Sequence, residues 1–328
     1  MPTARLLPPS PRAVRIALGS LWLIDAVLQA RPRFFAAGWW RHDVAQSVMG
    51  QPAVVNHSIF WAVAIVAGHA AVFNALFVAV QAAIGLALVT GRWDRAAIAV
   101  SIPWALGVWW VGEGFGNLPT GFALAASGSP GPVLLYPLIG LLARPRPVPS
   151  PPGGGKPGLW SWAILWAGQA LLLVPFAFPV ARVLHANVEE LSRGLPHWQL
   201  SVASWTQALV GRAPVLAAAL MASVQVAVGV GVLGRRTRRP ALLAGIAVSA
   251  FYWVCFQYLG GVTSTDGTDP GAAPLTALLA LALWPPPDWR GRKAPAEGGP
   301  PLSVLSGAEG RAAPGSGSGG PRGGRSGP

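Results

Sequence analysis

The chain has 328 residues, 52% of them hydrophobic and 11% charged, with a mean hydropathy of +0.48, against the roughly 25% charge of a soluble domain. Apolar runs recur from Val14 to Trp284, which leaves no room for an aqueous catalytic domain and marks a multispan membrane protein. The net charge of +13 lies in short Lys/Arg clusters at the ends of apolar runs and in the tail, which excludes a nucleic-acid-binding face, and the single cysteine, Cys255, excludes an internal disulfide and a cysteine zinc site.

In chain order, residues 1 to 12 are a short basic N-terminus and residues 13 to 30 a first span. The next stretch, to about residue 69, contains Trp39, Trp40, Arg41, Pro52 and Trp61; it is too polar at its start for a span and reads as amphipathic and interfacial. Residues 70 to 90 and 96 to 112 form two further spans. Residues 131 to 143 form a shorter one, which needs either an earlier start near Gly121 or a thin stretch of bilayer to reach the ~20 residues of a crossing.

This unit then returns. At an offset of 144 residues Trp22 falls on Trp166, Gly50 on Gly194, Gln81 on Gln225, Gly85 on Gly229, Arg92 on Arg236, Trp109 on Trp253 and Gly116 on Gly260. Beyond that point Ser129-Pro130-Gly131 pairs with Asp269-Pro270-Gly271 at an offset of 140. The sequence therefore predicts an all-α polytopic membrane helix bundle of two parallel four-span repeats, about 8 transmembrane helices in all. Repeat one covers 13 to 143, a Pro/Gly linker 144 to 158, repeat two 159 to 285, and a disordered cytoplasmic tail 286 to 328. The first span is read as a mature helix and not a cleaved signal, because its counterpart around Trp166 lies where no signal peptidase acts. A cytoplasmic N-terminus leaves only Arg31, Arg33, Arg41, Arg182, Arg193 and Arg212 on the outer side, so both termini are expected inside the cell (plasma) membrane.

Charge within the spans marks the candidate site. Asp25 lies inside the first span, where a carboxylate costs roughly 2.5 to 3.5 kcal/mol at the bilayer centre, and Glu113 ends the third. Their counterparts are Gln169 and Gln257, which keep shape and hydrogen bonding without the charge. Repeat one is thus expected to hold a protonatable or cation-binding site, an outward-facing pocket with Gln81 below; helix capping near the interface is the competing explanation. Asn74, Gln81, Gly85 and Arg92 share one helix face, which also suits a close-packed helix seam. His69 and Trp109 complete the candidate binding set. Two imidazoles, His57 and His69, do not by spacing alone make a haem site, and neither a catalytic constellation nor a metal site is read. The tryptophans, at segment ends, read mostly as an aromatic belt.

The stretch from Gln81 to Arg92, QAAIGLALVTGR, together with the four-span unit, resembles the DoxX-like superfamily of four-helix membrane proteins, here doubled. The stretch from Trp109 to Gly131 looks like actinobacterial integral membrane proteins of unassigned function. The resemblance implies an accessory or scaffold subunit without catalytic activity of its own, in the lipid bilayer beside a membrane-associated oxidoreductase, with quinone as a possible cofactor. A proton, cation or small-solute transporter using Asp25, Glu113 and Gln81 is the alternative.

Overall fold

The computed structural model describes residues 9–44, 50–120, 123–144, 155–173, 195–263 and 267–285. Every regular element among them is helical. The tail, most of the linker and part of the region before residue 195 lie outside these residues.

The first half opens with α1 (Pro11–Gln29). Ser10 caps it by accepting the Ala13 N–H at 3.1 Å, and Pro11 stands at the first turn where no N–H is needed. Val14, Leu18, Trp22, Asp25 and Gln29 recur every three or four residues and form its buried face. A short helix α2 (Ala37–His42) and α3 (Ala53–Gly68) follow, then α4 (Ala70–Thr90), α5 (Asp94–Val111) and, after a long loop of 3₁₀ turns, α6 (Leu135–Ala143). The α4 helix ends on Gly91, which supplies the left-handed conformation of a helix stop.

The second half runs α7 (Gly155–Leu173), α8 (His197–Arg212), α9 (Pro214–Gly231), α10 (Arg238–Cys255) and α11 (Ala272–Ala282). The α7 helix starts at Gly155, so its first turn takes up the last residues expected in the linker, with Pro157 placed where a helix tolerates it.

Helices α4 and α9 are long and apolar enough to cross a membrane. So is α5 when joined to the turn Gly114–Thr120, from which it is bent by 51°. The shorter apolar helices include α3, expected to be amphipathic and interfacial. Beyond Asn56, His57 and Ser58 near its start it is apolar on every side, with Ile59 and Val63 buried and Phe60, Trp61 and Ile65 exposed.

Two crossings organise the bundle. In the first, α1 lies against α4 where Gly19 meets Gly85. A Cβ at Gly85 would stand 2.8 Å from Leu23 Cγ and 2.9 Å from the Gly19 carbonyl oxygen, so only hydrogen allows this approach. In the second, α7 lies against α9, and Gly229 faces Ala163 and Ala167. The halves meet through α6, α11 and α1 and share one core, in which Leu18, Trp22 and Ile139 are continuous with Trp162, Leu242 and Leu275. Trp22, Trp40, Trp162, Trp166 and Trp284 are buried, so these rings fill core space and do not belong to a belt. Trp61, Trp93, Trp160, Trp198 and Trp205 are exposed.

Candidate functional site

Asp25 lies in the last two turns of α1, on the face that packs inward, and is 4% exposed. Its Oδ1 has no hydrogen-bond partner. The Tyr136 hydroxyl, on α6, is aimed at this carboxyl, although no geometrically complete hydrogen bond joins them and the hydroxyl too is buried and unpartnered. The Trp22 ring holds Tyr136 from the side, with ring centroids 4.5 Å apart.

Glu113 follows α5. Its Oε1 accepts the Val133 N–H at 3.2 Å, while Oε2 is buried without a partner. Trp109, one turn earlier, donates its indole N–H to the Pro130 carbonyl at 2.5 Å and so pins the 129–133 loop beside the carboxyl. Gly131 completes the wall in a backbone conformation, φ 130°, that favours glycine.

The third acid comes from the second half. Asp269, in the loop before α11, lies within electrostatic reach of both Asp25 and Glu113, and Tyr136 is in reach of all three carboxyls. Part of the residue reaches the surface, but its carboxyl is buried. That burial pushes the carboxyl above the ordinary aspartate range, an effect offset in part by the Gly271 N–H at 2.6 Å and by Thr268. No ion pair among the described residues reaches any of the three acids. No group of three or more His, Cys, Asp or Glu among the described residues is placed to hold a metal ion.

The corresponding positions of the second half are uncharged and satisfied. Gln169 Nε2 donates to the Ser129 carbonyl and Gln257 Nε2 to the Ala126 carbonyl, each at 3.1 Å, while Gln257 Oε1 accepts the Ala272 N–H at 3.2 Å. This last bond matches that of Glu113 one residue out of step, because Pro132, at the position of Ala272, has no N–H to give. Trp253 donates to the Pro270 carbonyl as Trp109 does to that of Pro130. Between these groups lies a cavity of about 30 Å³, lined by Ser129, Trp166, Gln169, Ser249, Tyr252 and Gln257 among others.

Each loop therefore reaches the opposite half. Ser129 of the first half sits with Gln169 and Gln257, and Asp269 of the second half sits with Asp25 and Glu113. The sequence distributes acids over both halves, and the crossing of the loops brings Asp269 within electrostatic reach of the other two.

Of the expected site residues, Trp109 and Glu113 lie against the same loop, and Asp25 and Glu113 are each within electrostatic reach of Asp269 and Tyr136. The expected outward-facing pocket does not form around Asp25, which is enclosed; the open space lies on the glutamine side. Gln81 is 7% exposed with Oε1 unpartnered. The register set by the Gly19–Gly85 and Gln29–Asn74 contacts puts it opposite residues 22 and 23 of α1, about one turn from Asp25. Asn74 is wholly engaged elsewhere: its Oδ1 accepts from Gln29 Nε2 at 2.5 Å and its Nδ2 donates to the Gln29 carbonyl at 3.0 Å, which clamps α1 to α4. His69 stands apart, exposed at the elbow between α3 and α4. Sequence reasoning missed Tyr136 as a site residue and placed Asp269 only among outer acids. The signal for Asp269 was its alignment with the neutral Ser129, a charge swap opposite in sense to the other two. Comparison with protein-family models, curated proteins and solved structures gives no match to this chain.

Proposed function

We propose that this is a multi-pass plasma-membrane protein of two parallel four-span repeats, about eight spans of DoxX-like kind, with both termini cytoplasmic, and that it carries protons through a site to which repeat one gives Asp25 and Glu113 and repeat two Asp269. The observation that carries the reading is the convergence of Asp25, Glu113 and Asp269 on the Tyr136 hydroxyl, with Asp25 Oδ1, Glu113 Oε2 and the hydroxyl itself all buried and unpartnered. In an apolar bundle without a cationic partner the Asp269 carboxylate repels each of the other two, and all three forfeit hydration. The site meets that cost by binding protons. A carboxyl and a phenol side by side, each with an unused position, are able to pass one between them.

The duplication is supported by features repeated at the alignment offset. Phe115 and Gly116, like Leu259 and Gly260, adopt consecutive left-handed conformations, and the Trp109–Pro130 bond returns as Trp253–Pro270. The glycine crossings of α4 and α9 correspond as well.

The test is proton flux in vesicles reconstituted with the full chain, carrying an internal pH-sensitive dye under a clamped potassium potential. Wild type should exceed empty vesicles, and Asp25→Asn or Glu113→Gln should lower the flux at least tenfold while the neutral-site change Gln169→Leu leaves it within about twofold. Wild-type flux equal to that of empty vesicles would defeat the proposal and return the protein to the accessory role beside a redox or quinone-linked partner.

A further inference from the structure

At the opposite end of the first half, α1, α4, α5 and α6 enclose a narrow cleft lined by Arg15, Leu18, Leu88, Asp94, Gly140 and Arg144. Arg15 and Arg144 are both half-buried. The Arg15 guanidinium lies directly over Gly91, where any side chain would collide with it. Arg144 caps the end of α6 with extended backbone, φ −60° and ψ 133°. Neither arginine has a carboxylate partner within ion-pair distance among the described residues, although Asp94 lines the same cleft. Asp94 Oδ1 instead accepts its neighbour's N–H, from Arg95, at 2.7 Å.

Two half-buried guanidiniums share the cleft with one carboxylate, Asp94, which leaves it one net positive charge for an anion to balance. Helix packing does not require them. In the second half the aligned positions are Leu159 and Trp284, and the corresponding end closes with apolar contacts. Exposed apolar side chains stand beside the cleft: Trp93 is 72% exposed and Leu141 40%.

We propose that Arg15 and Arg144 clamp the phosphate of an anionic lipid, one guanidinium on each of its free oxygens, with the acyl chains lying over Leu141 and Trp93. A phosphodiester suits the cleft because its single charge is balanced by the two arginines together with Asp94, and because guanidinium donors match phosphate oxygens in pairs. The site is independent of the proton-carrying reading.

The experiment is lipid binding to the purified full chain, read by native mass spectrometry and by thermal shift, with phosphatidylglycerol, phosphatidylcholine and inorganic phosphate as separate probes. Phosphatidylglycerol should bind at least tenfold more tightly than phosphatidylcholine, and Arg15→Gln or Arg144→Gln should each weaken it about tenfold. Asp94→Asn should strengthen it about threefold. Arg92→Gln and Arg95→Gln remove the same charge from exposed positions of the neighbouring turn and should leave binding within twofold. Equal losses in all four arginine variants would show diffuse surface attraction and overturn the proposal. So would inorganic phosphate displacing phosphatidylglycerol at equal concentration, which would make the cleft a site for a soluble anion. Folding of each variant is checked by its melting in phosphatidylcholine; should Arg15→Gln not fold, Arg144→Gln, at the free end of α6, decides the matter.

Discussion

Gly131 separates the geometry of the acid site from its charge, and Gly131→Ala tests that geometry. An added Cβ overlaps Glu113 Oε2 and comes 2.8 Å from Trp109 Cδ1 and 3.2 Å from Glu113 Cδ. The indole is held by its bond to Pro130, so the carboxyl must retreat by about an ångström or more to reach ordinary contact. The Val133 N–H bond is already 3.2 Å long and does not survive that movement. Leaving the buried Val133 N–H and the Glu113 carboxyl without this hydrogen bond costs about 1 to 3 kcal/mol, and forcing alanine into φ 130° adds roughly 1 to 3 kcal/mol of backbone strain. Gly271→Ala is the matched control. Its φ of 82° carries comparable strain, but its Cβ would stand 3.0 Å from Gly260 Cα and 3.1 Å from Gln257 Oε1, contacts that ask for shifts of a few tenths of an ångström and not for displacement of a carboxyl. Both variants should melt below wild type, with Gly131→Ala lower by a further ~1 to 3 kcal/mol. Proton flux in vesicles, corrected for folded protein, should fall at least tenfold in Gly131→Ala and less than threefold in Gly271→Ala. Full flux in Gly131→Ala, or greater damage from Gly271→Ala, would refute the placement of Glu113 in the site.

Because burial raises the Asp269 carboxyl above its ordinary range, the folded state holds that proton more tightly than the unfolded chain does. The resulting stability is complete below the ordinary aspartate value and is lost as pH rises through the raised one. Melting of wild type should therefore fall relative to Asp269→Asn as pH increases across that window, and the opposite trend would show a carboxylate stabilised by its surroundings. Gly85→Ala should cost about 1 to 3 kcal/mol by overpacking the α1–α4 crossing, whereas Gly107→Ala, with nothing within 4 Å, should be neutral or slightly stabilising; equal melting of the two would contradict the close approach. Asn74→Leu should lower the melting point by the equivalent of roughly 1 to 2 kcal/mol through loss of the Gln29 clamp, yet leave flux per folded molecule unchanged. A flux defect without a stability defect would move Asn74 into the site. Topology reporters after Arg95 and Arg239 should read cytoplasmic and those after Gly128 external; a cytoplasmic reading at Gly128 would overturn the proposed orientation.

The helices were most readable where hydrophobicity and stop signals coincide. The apolar run from 70 to 90 is α4 to the residue, because His69 and Gly91 break the helix at its two ends. The expected spans 13 to 30 and 96 to 112 differ from α1 and α5 by one or two residues. The character of α3 was misread: the polar residues before it, around Trp40 and Arg41, belong to a separate short helix and coloured the whole stretch. The buried tryptophans were misread because position along a run does not tell which side of a helix faces the core; Trp22 is buried by the partners α1 meets. Asp25 and Glu113 announced themselves by charge in apolar surroundings. Tyr136 and Asp269 did not, since a tyrosine near a helix start and an aspartate in a Gly/Pro loop are ordinary in isolation. Only the tertiary path of the two loops gives them a common destination.

That path has a consequence for symmetry. Two identical subunits that exchanged loops in this way would form two identical sites, each drawing the same residues from the same places by the two-fold relation. Any acid introduced at one would appear at the other. A site with three carboxyls beside one with none is closed to such a homodimer, and a single chain whose halves are free to differ can build it. Joining the halves thus permits them to differ: one interface carries the acids, and the other is held by hydrogen bonds from Gln169 and Gln257 to loop carbonyls.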